Sequence, residues 1–166
     1  MEPFHEQMMA YKKEMEKGVI QSAYRGLMEY ILGLRMHFKE TYPDYTVSGS
    51  IYQGYMDMTY FAVIPESLKK RKLKIAIVFL HQEFRFEAWL SGQNKQVLTR
   101  YWEMLEQAGW DKYRIVKPEK GIDSILEHRL VENPNFRDLE KLTQQIETET
   151  TNFLQDVVNF VSENGK

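Results

Sequence analysis

The sequence predicts an α+β domain over residues 1–166. A mostly antiparallel sheet of about five or six strands packs with two N-terminal helices, one middle helix and a long C-terminal helix. Three observations predict it. Apolar residues recur at helical spacing at both ends of the chain, and short alternating or wholly apolar runs fill the middle. Turn residues separate those runs, so that strands follow one another directly.

The first helix carries Phe4, Met8, Tyr11 and Met15 at intervals of four, three and four, and Gly18 interrupts it. In the second, Ile20, Tyr24, Leu27, Ile31, Leu34 and Phe38 keep the same spacing, with Arg25, Glu29, Arg35 and Lys39 elsewhere. Pro43 stops it, because proline removes a donor and disfavours helical geometry in the residue before it. Gly26 and Gly33 weaken this helix, which close approach of another backbone or simple tolerance would explain. Next, "YTVSGSIYQGYMDMTYFAVIP" breaks at Gln53-Gly54, a turn-compatible pair. A two-residue loop there puts Ser50, Tyr52, Asp57 and Thr59 on one face and Val47, Ile51, Met56, Met58 and Tyr60 on the other.

"PESLKKRK" is a short helical turn or charged connection, with Pro65 suited to its first position. "LKIAIVFL" is nearly all apolar and is expected at the centre of the sheet, buried on both faces. "FRFEAWLS" alternates: Phe84, Phe86, Ala88 and Leu90 point one way, and Arg85, Glu87, Trp89 and Ser91 the other. With Gln82-Glu83 as the turn, Leu80 faces Arg85 and Val78 faces Glu87, while His81 joins the Phe84 side. "NKQVLTRYWEMLEQAG" is an amphipathic helix with Asn94 as N-cap and Gly109 as terminator. Two strand candidates follow around a Pro-Glu-Lys-Gly turn, the second of them, "SILEHRLV", open to a partly helical reading. The last helix is expected from Pro134, with Asn133 as its cap, to about Glu163.

Composition narrows the chemistry. With 22 basic and 24 acidic side chains, no global field draws the chain onto nucleic acid or an anionic surface. No cysteine is present, which excludes disulfides, thiolate nucleophiles and Cys-ligated zinc. No apolar run is long enough for a bilayer, and the charged N-terminus is unlike a signal peptide, so a cytoplasmic location is expected. The histidines at 5, 37, 81 and 128 lack metal-ligand spacing. There is no phosphate-cradling glycine loop and no nucleophile elbow. No catalytic residue, cofactor or metal ligand is assigned.

Arg85 and Glu87 are two apart on one strand face, and one weak ion pair on a solvated surface accounts for them. A sharper grouping puts Tyr52, Tyr55 and Trp89 beside Asp57, Arg85 and Glu87, as a pocket with aromatic walls and polar anchors for a small molecule. A helix packed across that face, with the rings as its floor, is the plainer alternative. Metal-dependent nucleases carry Glu-x-Lys on one strand; here the stretch is Glu87-Ala88-Trp89, with an indole in the lysine's place. Lys69, Lys70, Arg71, Lys72 and Lys74 form the densest basic run, suited to solvation or to weak phosphate contact without sequence readout.

The run "YMDMTYFAVIPESLKKRKLKIAIVFLHQEFRFEAWLSGQNK" (55–95) and "GIDSILEHRLVENPNFRDLEKLTQQIE" (121–147) resemble a family of small bacterial proteins classed as a domain of unknown function. That resemblance implies no activity, cofactor or site residue. The strand and helix order of the second half also resembles nuclease-like domains of bacterial accessory proteins. The expected function is a non-catalytic binding or protein-interaction module, possible as a homodimer or with a protein partner. An enzyme built on Asp57, Arg85 and Glu87 and a nuclease-like nucleic-acid accessory domain are the alternatives.

Overall fold

A computed structural model describes residues 3–165. Its elements are α1 (Phe4–Lys17), α2 (Val19–Thr41), β1 (Thr46–Val47), β2 (Met58–Ile64), α3 (Glu66–Lys69), β3 (Leu73–Leu80), β4 (Arg85–Gly92), α4 (Lys95–Ala108), β5 (Arg114–Ile115), β6 (Ser124–Glu132) and α5 (Leu139–Asn164). The six strands make one sheet in the order β1-β2-β3-β4-β6-β5, and every pairing is antiparallel. The expected α+β class holds, and the apolar run of β3 is central.

Strand alternation sends Phe61, Val63, Ile75, Ile77, Phe86 and Leu90 to one face. There they join Ile31, Leu34 and Phe38 of α2, Leu98 and Leu105 of α4 and Phe153 and Val157 of α5 in one apolar core. Tyr42, the C-cap of α2, and His37, late in that helix, both reach Glu147 of α5, at 2.8 and 2.7 Å. Burial and the Glu147 carboxylate push the Tyr42 phenol up to about 12. Among the described residues, no helix is long and apolar enough to cross a membrane.

The β3–β4 register is the expected one, Leu80 opposite Arg85 and Val78 opposite Glu87. The turn, however, is a four-residue loop over 81–84. Phe84 takes φ 54° and its N–H donates to the Leu80 carbonyl at 2.9 Å. His81 lies away from Arg85 and Glu87, against Phe79 and Tyr24.

Two expectations are corrected. No hairpin forms about Gln53-Gly54: Thr46 and Val47 pair with Ile64 and Val63, and Tyr52 bridges Tyr60 across a long loop. This pairing differs from the expected one by an odd number of residues, which reverses every face. Thr59 is therefore fully buried on the core side, whereas Tyr60 shares the open side with Tyr52. The last helix begins at Leu139, capped by Asp138, whose carboxylate accepts from Lys141 N–H at 3.1 Å. Asn133 adopts φ 47° and Asn135 accepts from Arg137 N–H. This loop seats Phe136 among Phe79, Phe84, Phe86 and Tyr30.

Candidate functional site

The sheet face opposite the core carries side chains in cross-strand rows. One row is Ala62, Ala76, Trp89 and Glu127; the next is Tyr60, Val78, Glu87 and Arg129. Two bulges in β6, which leave Ile125 and Leu130 unpaired with β4, set where these rows end.

Glu87 corrects the expectation of a solvated ionic face. It is 3% exposed, and both carboxylate oxygens are satisfied from its own strand. Arg85 Nε donates to Oε2 at 2.5 Å, and the Trp89 indole Nε1–H donates to Oε1 at 2.9 Å. Residues i−2 and i+2 are neighbours on a strand face, so the triplet Arg85, Glu87 and Trp89 is local in origin. Burial comes from the sheet, since β3 and β6 flank β4 on both sides. The consequence is mechanical. The carboxylate fixes the indole edge and so fixes the ring plane of Trp89.

Beside that plane lies a cleft of about 670 Å³, within the range of small-molecule sites. Its floor includes Ala76, Trp89 and Ser91, and the small Ala76 side chain leaves the depth. On one side stand Tyr52 and Tyr60, their ring centroids 5.0 Å apart. On the other stand Asp123 and Glu127. Lys95 ties the 119–123 segment by donating to the Glu119 carbonyl at 2.6 Å and to the Ile122 carbonyl, with Asp123 at 3.3 Å. Ser91 Oγ donates to the Asp123 carbonyl. Glu127 accepts from Ser124 Oγ at 2.8 Å and lies 3.7 Å from Arg114. Lys74 is half-buried in the cleft and, among the described residues, has neither a hydrogen-bond nor an ion-pair partner. Burial, with Tyr52 and Asp123 beside it, holds the Tyr60 phenol above its usual range.

Asp57 closes the loop that forms the near wall. Its carboxylate accepts from Tyr55 N–H at 2.8 Å, and the Tyr55 and Met58 amides hold it below the usual carboxylate range. Its carbonyl accepts from His81 N–H at 3.0 Å. Gly54, at φ 73°, lets this loop turn: a Cβ there would lie 2.1 Å from the Met58 carbonyl oxygen.

The six residues grouped from sequence therefore do not form one pocket. Tyr52, Asp57 and Trp89 meet at the cleft. Arg85 and Glu87 are engaged with each other, Glu87 bordering a separate shallow depression by Lys112 and Arg129. Tyr55 projects into solvent, 92% exposed. Ser91, Lys95 and Asp123 also line the cleft, and no sequence pattern assigned them to a site. Ser91 shared the alternation of Trp89 and was within reach of sequence reasoning; the placing of Asp123, just before β6, and of Glu127 within it depends on a long-range pairing.

The basic run is also divided. Lys69 Nζ donates to Thr46 Oγ1 at 3.2 Å, and Arg71 Nη1 donates to the Ser67 carbonyl at 3.0 Å, its guanidinium half-buried. Lys70 and Lys72 are exposed, Lys72 at φ 61°. Among the described residues, no three His, Asp or Glu side chains gather closely enough to hold a metal ion.

No curated protein and no solved structure matches the chain. A family model does, over residues 4–161, and by that match the chain belongs to DUF7000, a domain of unknown function.

Proposed function

We propose that the chain is a non-catalytic binding module of the cytoplasm and that the cleft on the open sheet face is its recognition site. The ligand it suits is a small, flat monoanion whose ring carries N–H donors. One observation carries this reading: the half-buried Lys74 side chain, whose ammonium has no protein partner among the described residues, beside the fixed ring of Trp89. An ammonium that no protein carboxylate neutralises, on a stem held in the cleft, favours an anion there. The indole and the Tyr52 and Tyr60 rings offer flat apolar area. Asp123 and Glu127 across the cleft accept N–H donors and disfavour a second negative charge on the ligand.

The enzyme reading on Asp57, Arg85 and Glu87 has less support. The carboxylate of Glu87 is consumed by Arg85 and Trp89, and that of Asp57 by the turn it closes. The nucleic-acid reading is weakened by the engagement of Lys69 and Arg71 within the fold.

Calorimetric titration with orotate, a flat monoanion bearing ring N–H groups, tests the proposal against uracil, which lacks the carboxylate. Saturable binding of orotate but not uracil, lost in Lys74→Met, is expected. Absence of binding at millimolar orotate, or equal binding by Lys74→Met, would count against the cleft as the site.

A further inference from the structure

Helix α1 has no buried residue over its 14 positions. Its apolar stripe is open to solvent: Phe4 is 75% exposed, Tyr11 57% and Met8 43%. A helix of this length is marginal in water without a partner for that stripe. Its connection to α2 is the single residue Gly18, at φ 74°. Two helices that fold back on each other need a loop of about two to five residues. The stripe therefore has no route onto α2 of its own chain.

The same chain offers a matching surface. The first three turns of α2, the β3–β4 loop and the start of α5 with the segment before it enclose an apolar groove of about 700 Å³. Ile20, Tyr24 and Leu27 line one wall, and Phe84, Phe136 and Leu139 the other. Gly26 lies between, with nothing within 4 Å of where its Cβ would stand. A helix can thus approach the α2 backbone closely, as amphipathic helices do in apolar grooves.

We infer that the occupant of this groove is α1 of a second copy, exchanged reciprocally about a two-fold axis. Three features select a second copy over an unrelated partner. One operation covers both unpartnered surfaces of each chain, the self-complementarity that a two-fold interface requires. The buried area suffices: about 100 Å² on average from each of Phe4, Met8, Tyr11 and the partly covered Met15, roughly half of what a large aromatic buries in full, gives ~400 Å² per helix. With a similar area from each groove and both contacts counted, the total is ~1,600 Å², the size of a stable interface. Charge is compatible too, since α1 carries Glu6, Glu14 and Glu16 against Lys12, Lys13 and Lys17. The cleft lies on the other face of the sheet, so this inference is independent of the proposed ligand.

Sedimentation of the full chain and two variants provides the test. Met8→Asp/Tyr11→Asp removes the stripe. Phe84→Asp removes a groove wall at a position whose φ of 54° suits aspartate better than phenylalanine, and circular dichroism and thermal melting confirm that each variant folds. The wild type should sediment as a dimer at micromolar concentration and each variant as a monomer. Mixing the two variants should restore a weaker heterodimer, because one intact helix still meets one intact groove. A monomeric wild type, a dimer that survives Phe84→Asp, or no heterodimer on mixing would each overturn the exchange.

Discussion

Glu87→Ala is the substitution whose outcome best separates a built face from a merely wet one. The Glu87 side chain is 4% exposed and that of Arg85 20%. Removing the carboxylate strands the Arg85 Nε–H and the Trp89 indole N–H together. Losing one partner of a buried ion pair costs about 3–5 kcal/mol, and an orphaned indole donor falls within that figure rather than adding to it. Arg85 keeps partial access to water, which sets the expected loss near ~3 kcal/mol, at the lower end. For a chain of this size each kcal/mol shifts the melting temperature by about 2–4 °C, so a fall of ~6–12 °C is expected. Urea unfolding followed by tryptophan fluorescence, extrapolated linearly to water, measures the free energy directly. Glu132→Ala is the internal comparison, because Arg129 and Glu132 are 57% and 54% exposed and their pair is worth under about 1 kcal/mol. Replacing Arg85 and Glu87 together by methionine should recover most of the loss, since neither charge is then left unpaired. If Glu87→Ala costs no more than Glu132→Ala, the buried triplet is not what organises this face.

Other consequences follow from the same geometry. Gly54→Ala should destabilise by more than ~1–3 kcal/mol in thermal unfolding, because its Cβ would meet the Met58 carbonyl at 2.1 Å as well as the φ penalty. Gly109→Ala, at φ 60° with nothing within 4 Å, should cost only the conformational part, about 1 kcal/mol. Asn94→Ala and Asp138→Ala should each cost ~1 kcal/mol, since each removes the side chain that accepts a first-turn N–H. The Thr59 hydroxyl gives its one proton to the Gln53 carbonyl, so His81 Nε2–H is the donor to Thr59 Oγ1. Burial lowers the His81 pKa, only partly opposed by Asp57. The folded state then binds fewer protons than the unfolded one, and the contribution of His81 is present above the unfolded value of about 6.5 and lost as pH falls through the folded one. Unfolding free energy measured across this range should decline less steeply with acidification in His81→Asn than in the wild type.

The fold was legible wherever a local pattern determines it. Alternation through 84–91 set the β3–β4 register, and Asn94 and Gly109 marked both ends of α4, because these signals lie within a few residues. The 47–60 segment was not legible, since turn chemistry at Gln53-Gly54 competes with a long-range pairing of Val47 with Val63. The start of α5 was obscured by Asn133-Pro134, a good cap sequence used instead as a turn that buries Pro134 and delivers Phe136 to the core. Of the site, the local pairing of Arg85 with Glu87 was readable. The depth of Glu87 was not, because it depends on β6 arriving on the far side of β4. For the same reason Asp123 and Glu127 could not be placed opposite Lys74 from sequence.

The most direct measurement is the indole ¹⁵N–¹H spectrum of the three tryptophans during titration with orotate. Trp89 should show slowed hydrogen exchange from its bond to Glu87, and its resonance alone should move to saturation while those of Trp102 and Trp110 stay fixed. Rapid exchange at Trp89, or a resonance that does not move as orotate is added, would contradict a recognition site built on this face of the sheet.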